Sequence, residues 1–492
     1  MFRTITPESA GISSRRVLEY IRTLDEYRLV THGIIFSRGQ DIFAEAYYAP
    51  YDQNTKHRMY SVSKSITAIA VGFAIDDGLF TLDTPVMDFF PEYDGAHIDT
   101  ARRCATVRDL LTMRSPIASY DEDWWGKPDR LASYFRTKSV KPAGTNYYYD
   151  TAACFTLGAL VEKLTGKPLL EYIKDKGLCE LGFSRDAYSL LAPGGHSHCD
   201  SGIMCTARDM LLLARLLANG GELEGHRYLS EEYARAATSR QTDNDRQGQA
   251  APLCIREGYG YFVWKTRRDG FAFLGMADQY AIYDTKTDFL FVITSENLSI
   301  GNEGTKMLIM HELYKTIIDS IGEPLPEDPE AYRELCEYCE TRKLLSLTDG
   351  VSSTLPERIH GARFQMEENP MGFETVWLEF EDDHGTLNFT KEGSDFSLPF
   401  GIGYNVFGKF PTKERCGMTA SVMEEGQYDA ATSAIFCEEN KMLLTARIVD
   451  TYLGNIHMNI AFRDDDISIS CARNTQRILL EFNGYAYGKR IQ

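Results

Sequence analysis

The chain has 492 residues, 43% of them hydrophobic and 25% charged, which is ordinary globular usage and excludes disordered and low-complexity classes. Lys and Arg number 52 against 71 Asp and Glu, a net charge of −19 that works against generic binding to nucleic acid or an anionic membrane. At roughly 150 residues per domain, the length predicts two to three domains with cores that need no disulfide staples.

The N-terminal MFRTITPESAGISSRRVLEY lacks an apolar stretch of leader length, and no apolar run approaches about 18 residues, so neither secretion nor a membrane span is expected. The 11 cysteines, scattered from Cys104 to Cys471 and mostly in apolar segments, read as reduced buried thiols in a cytoplasmic protein. HGIIFSRGQDIFAEAYYAP predicts two strands around a turn at residues 37–40. In SVSKSITAIAVGFAIDDG, the residues Ile66, Ile69, Ala70, Phe73 and Ala74 recur at helical spacing, and Gly78 supplies the stop. Helices follow in TVRDLLTM, in FTLGALVEKLTGKPLLEYIKDKGL and in TARDMLLLARLLANGG, the last ended by Gly220 and Gly221. GYGYFVWKT, DGFAFLGMADQYAIYD and DFLFVITSEN read as strands before a helix around residues 306–318. Near Gly322 the composition turns Pro-rich and acidic, then helical, predicting a connector over 321–352. From 353 to 492, TVWLEFEDD, GTLNFTKEG, DFSLPFGIG, MTASVMEEG, SAIFCEEN, KMLLTARIV, IHMNIAFRDD and ISISCAR are short strands between Gly, Asp and Asn turns. That pattern predicts a small β-barrel or sandwich.

Chemistry concentrates at YSVSKSITAIA, where Ser61-Val62-Ser63-Lys64 places a Ser-x-x-Lys at the start of a helix. Residues three apart share a helical face, so the Lys64 amine can reach the Ser61 hydroxyl. The partial positive charge of a helix N-terminus and burial both disfavour an ammonium there, leaving a free amine to take the serine proton. Ser63 gains no such base, because three residues on stands Ile66. A chain of this length holds roughly two Ser-x-x-Lys by chance, so the context has to carry the assignment. PAGTNYYYDTAACFTLGALVEKLTGK supplies a second element: a turn, three tyrosines and a helix, with Tyr149-Asp150-Thr151 at their junction. A phenol held near cations can relay a proton; the alternative is aromatic packing under a loop.

Together with YSVSKSITAIAVGFAIDDGLFTLDTPVMDFFPEY, TVRDLLTM and SGIMCTARDMLLLARLLANGG, this segment resembles the class C β-lactamase-related serine hydrolases, a family of penicillin-binding proteins, esterases, D-amino-acid peptidases and nylon-oligomer hydrolases. The likeness spans roughly residues 5–320 in the family's order. It implies an α/β (α+β) β-lactamase/transpeptidase-like domain over 1–320, with a helical subdomain, an antiparallel sheet and no cofactor, followed by the connector and the all-β domain. It also implies Ser61 as acylated nucleophile, Lys64 as its base, Tyr149 as the proton relay, and the backbone N–H groups of Ser61 and Met276 as the oxyanion hole. Two departures stand out. The family's Tyr-x-Asn ends here in Thr151, and its strand-borne cation aligns with Phe273 in Phe273-Leu274-Gly275. Lys265 in VWKT offers a substitute cation but falls one strand early and lacks the glycine. Without a cation for a substrate carboxylate, a neutral small-molecule ester or amide is expected in preference to a β-lactam.

Trp124 and Trp125 stand where the resemblance puts the wall of the substrate site; lining an apolar pocket and ordinary packing are the two readings. His196, His198, Cys199 and Cys205 form a polar loop rather than a metal site, and Cys336-x-x-Cys339 is a lone pair in a helix. No Gly-x-Ser-x-Gly elbow, Walker loop or dinucleotide glycine pattern occurs. Three functions remain in view: a Ser61 ester or amide hydrolase; a D-amino-acid peptidase or β-lactamase; and an inactive relative whose β-domain binds a ligand or partner. Natural substrate, oligomeric state and the role of the β-domain are not written in the sequence.

Overall fold

The computed structural model describes residues 2–119, 124–244, 256–298 and 302–491. The segment 120–123, ahead of Trp124, lies outside them. The chain forms two compact units, one of Met1–Asn297, Gly301–Lys343 and Met418–Val422, the other of Leu298–Ile300, Leu344–Gly417 and Met423–Gln492. The boundary after Lys343 falls inside the expected connector, whose helix therefore belongs with the first unit.

The first unit is built on a seven-stranded sheet of β1 (Arg3–Thr4), β2 (Thr31–Arg38), β3 (Asp41–Tyr47), β4 (Trp264–Lys265), β5 (Phe271–Gly275), β6 (Gln279–Asp284) and β7 (Phe289–Ser295). The spatial order is β1-β3-β2-β7-β6-β5-β4, antiparallel except for the β1–β3 pair. The expected turn between β2 and β3 carries Gly39 at φ +58°, a left-handed conformation that costs glycine little. DGFAFLGMADQYAIYD divides into β5 and β6 because Ala277 and Asp278 adopt positive φ between them.

Both faces of this sheet are covered, and the period-two alternation of the strands assigns residues to each. Phe271 and Phe273 of β5, with Ala281, Leu290 and Val292, join the core beneath the helices α2 (Val62–Asp76), α3 (Arg130–Arg136), α4 (Thr151–Thr165) and α5 (Ala207–Ala218). Ala272 and Leu274, with Phe36, Tyr280, Ile282 and Phe291, join the opposite core, under α1 (Ser14–Glu26), α6 (Asn302–Glu312) and α7 (Pro329–Glu340). The helices begin at side-chain caps. Asp150 accepts from the Ala153 N–H at 3.1 Å to open α4, and Thr206 with Asp209 forms a capping box on α5. Gly166, at φ +67°, ends α4. Helix α2 is buried on every side from Val62 to Ala74, so its apolar residues do not form a one-sided stripe.

The second unit is a closed nine-stranded barrel of β8 (Arg363–Met366), β9 (Thr375–Glu381), β10 (His384–Lys391), β11 (Ser394–Ile402), β13 (Tyr428–Glu438), β14 (Lys441–Val449), β15 (Leu453–Arg463), β16 (Asp466–Thr475) and β17 (Gly484–Ile491). It closes where β11 meets β13 in parallel through Gly401–Ser433 and Ile402–Ala434, while β12 (Val406–Phe410) adds to the other side of β13. The interior is filled by alternate residues such as Leu387 and Phe389, Leu398 and Phe400, Met442 and Leu444, and Met458 and Ile460. The two-residue turn Glu392–Gly393 has both φ values positive, the hairpin geometry that matches strand twist. MTASVMEEG, expected to be a barrel strand, is not one. Met423–Glu425 pairs with Glu414–Cys416 in a separate small hairpin, and Met418–Val422 belongs to the first unit, where Thr419 bridges Leu191.

Candidate active site

Ser61 opens α2 one residue after Tyr60, which holds φ +44° while buried under the Arg58 guanidinium, 4.8 Å from its ring. A bulky residue in that conformation is strained, and surrounding contacts must hold it there. The strain turns the chain from the short strand His57–Arg58 directly into the helix. Ser61 does not spend its hydroxyl on capping α2. Instead, Lys64 Nζ lies 3.1 Å from Ser61 Oγ and donates to the Asp200 carbonyl at 2.8 Å. Lys64 is 1% exposed, so its amine is withdrawn from water along with its stem. The neighbouring hydroxyls have other duties: Ser63 Oγ accepts from the Ile203 N–H, Ser65 Oγ donates to Phe262 O, and Thr67 Oγ1 donates to Cys199 O.

Tyr149 stands over the same amine, with Lys64 Nζ 5.2 Å from its ring centroid. The same ring stacks on Trp264 at 5.6 Å and meets Tyr259 edge-on at 6.4 Å. Trp264 was not marked by the sequence as a site residue; the signal available was its alternation with Lys265 on β4. Because adjacent strand residues face opposite ways, Trp264 turns to Tyr149 and Lys265 turns away. Lys265 Nζ donates to Thr238 O at 2.9 Å and Asp269 O at 2.8 Å, which removes it as a substitute cation. Thr151 is the buried first residue of α4, next to Asp150, whose carboxylate caps that helix and accepts from Ser115 Oγ at 2.5 Å. Burial raises the Asp150 carboxyl above its usual range.

On the sheet side, Gly275 ends β5 against the segment leading to Ser61. A Cβ there would sit 2.5 Å from Met59 O, so the close approach requires glycine. Met276, exposed, begins the turn that follows, and the turn is pinned from inside. Gln279 Nε2 donates to Ala277 O at 3.1 Å and Ser295 O at 2.6 Å, and Ser295 Oγ donates to Ala277 O at 2.6 Å. Phe273 is fully buried, 5.9 Å from Phe271, and contributes to the core.

Trp124 is also fully buried, edge-on to Trp125 at 5.1 Å and to Phe155 at 5.8 Å, in keeping with the packing reading. Trp125 is half-buried and lies 5.8 Å from the His198 ring. His196 pairs with Glu162 at 3.0 Å, and no group of metal-ligating side chains occurs among the described residues. All ten described cysteines, Cys336 and Cys339 among them, are free thiols. No helix among the described residues is long and apolar enough to cross a membrane.

A family model described as Beta-lactamase matches residues 19–305. The chain is 28% identical over 285 residues to the 6-aminohexanoate-dimer hydrolase of Paenarthrobacter ureafaciens, covering 53% of this chain and 71% of that protein. It is 28% identical over 188 residues to the esterase EstB of Burkholderia gladioli, covering 33% of this chain and 48% of the esterase. The solved structure of SurE with D-Leu superposes with a TM-score of 0.50 at 16% identity, covering 97% of this chain and 99% of that one. A likeness at that identity bears on the fold alone.

Proposed function

This chain belongs to the β-lactamase family of hydrolases, and from that premise we propose that it cleaves a neutral ester or amide of a small molecule through an acyl-enzyme on Ser61. The observation that carries the reading is the buried amine of Lys64, 3.1 Å from a hydroxyl left free of capping duty. In the proposed reaction Ser61 Oγ attacks the substrate carbonyl carbon and its proton passes to the neutral Lys64 amine. Tyr149, beside that amine, returns the proton to the departing oxygen or nitrogen, and the alcohol or amine leaves. Water then attacks the acyl group, releases the carboxylic acid and restores the serine hydroxyl. The developing oxyanion is received by the N–H groups of Ser61 and Met276. A donor of this kind is worth about 3–4 kcal/mol in the transition state.

The preference for a neutral substrate rests on two side chains: Phe273 is buried and apolar, and Lys265 is committed to backbone carbonyls. The relatives named as a 6-aminohexanoate-dimer hydrolase and an esterase are consistent with either bond type. A fluorophosphonate probe should modify Ser61, Ser61→Ala should abolish ester turnover, and a neutral aryl ester should be cleaved in preference to a chromogenic cephalosporin. Undiminished turnover by the alanine variant removes Ser61 from the mechanism. Preference for the cephalosporin overturns the reading of Phe273, and a folded protein inert to the probe favours an inactive ligand-binding relative.

A further inference from the structure

The turn after β5 runs through two successive residues with left-handed backbone, Ala277 at φ +59° and Asp278 at φ +65°. Glycine takes that conformation at little cost and alanine does not, so contacts around the turn must hold it. The contacts come from side chains at the start of β6 and the end of β7. Gln279 is wholly buried, and its Nε2 donates to Ser295 O at 2.6 Å, Ala277 O at 3.1 Å and Met276 O at 3.4 Å. Ser295 is equally buried, and its Oγ donates to Ala277 O at 2.6 Å, with Asp278 O at 2.9 Å sharing the same hydrogen. The Asp278 carboxylate accepts from Asn297 Nδ2 at 3.0 Å and from the Tyr280 hydroxyl, and Asn297 Oδ1 accepts from the Val30 N–H at 2.8 Å. Three consecutive carbonyls, those of residues 276, 277 and 278, are thus gripped from the buried side.

We infer that Gln279 and Ser295 are positioning residues for the oxyanion hole, holding the turn so that the Met276 N–H is presented in one direction. This rests on the reading of that N–H as a donor to the oxyanion formed on Ser61. The peptide plane carrying the Met276 N–H begins at Gly275, and glycine by itself leaves such a plane free to turn. Gly275 has to be glycine, because a Cβ there would meet Met59 O at 2.5 Å. The restraint therefore has to come from the residues that follow, and Gln279 and Ser295 supply it. Being wholly buried behind the turn, neither side chain meets the substrate, so each acts through the backbone. A donor fixed in advance stabilises the developing charge without reorganising, whereas a donor that wavers loses much of that effect.

The test compares hydrolysis of a neutral aryl ester with that of the matching thionoester, in which sulfur replaces the carbonyl oxygen and accepts hydrogen bonds poorly. The parent should prefer the oxygen ester. In Gln279→Met and Ser295→Ala that preference should shrink by about tenfold, through a lower kcat on the oxygen ester with KM little changed. Ser295→Thr, which keeps the hydroxyl, should retain the parent preference. Circular dichroism reports folding; where Gln279→Met does not fold, Ser295→Ala, which removes a single hydroxyl, decides the matter. Folded variants with the parent preference overturn this inference even where their rates fall, and leave Ser61 and Met276 as assigned. A parent that cleaves both esters equally well removes Met276 as a donor, and this inference falls with it. A parent that cleaves neither overturns the proposed function itself.

Discussion

At the scale of single residues, what matters is which side chains have been denied water. His57, four residues before Ser61, packs against Tyr51 and His32, with ring centroids 5.2 Å away in each case. Burial lowers its pKa from the ordinary 6.5 to about 4. The unfolded chain therefore takes up a proton as pH falls through 6.5, while the folded chain resists until about pH 4. Stability from this residue is intact above 6.5 and is lost progressively below it, by about 3 kcal/mol once both states are protonated. His57→Phe should lose less of its thermal midpoint than the parent between neutral pH and about pH 4.5; equal losses would show that this imidazole is not the acid-sensitive group. The sequence made Ser61, Lys64 and Tyr149 legible because spacing on a helix and order along the chain put chemistry into the pattern. It left Asp200 unmarked, since the backbone carbonyl that accepts from Lys64 carries no side-chain signature.

Among the elements, α2 and α4 set the site by how closely they and the 196–202 loop approach. Gly158 on α4 faces Cys199, and a Cβ there would stand 2.1 Å from Cys199 Sγ. Cys199 immediately precedes Asp200, so displacing it moves the carbonyl that Lys64 grips. Gly158→Ala should destabilise the fold by about 1–3 kcal/mol and slow the modification of Ser61, read by thermal melts and labelling rates. An unchanged melt would mean that the loop yields without strain. Elements with strong local signals were readable in advance: the β2–β3 hairpin, α2 and α5. Three strands of the second unit were not. β8 is four residues long with an exposed-buried alternation, β12 is interrupted by Gly408, and β17 carries exposed Tyr485 and Tyr487 with a basic end. Their pairing partners, distant in sequence, define them more than their composition does.

For the whole molecule, charge is the property that composition reports directly. With a net charge of −19 at neutrality and an isoelectric point near 5.1, mutual repulsion opposes non-specific association at pH 7 and fades as the pH approaches that point. Light scattering should show association rising near pH 5 and reversing on return to neutral pH, unless the acid loss of His57-linked stability has already unfolded the chain. Absence of any rise would mean that the charge is too unevenly spread for the net value to govern solubility. By itself the sequence carried the family resemblance and the order of a hydrolase domain and an all-β domain, and it pointed to a serine, a lysine and a tyrosine as the candidate site. Periodicity, capping residues and motif spacing are local and survive in one dimension. Only the tertiary structure decided that Lys265 donates to backbone carbonyls, that Trp124 is core, that Met418–Val422 joins the first unit, where Thr419 bridges Leu191, and that the Asp200 carbonyl accepts from Lys64. Each of those depends on which way a side chain or segment turns once distant parts of the chain compete for the same space, and no neighbour in sequence records that outcome.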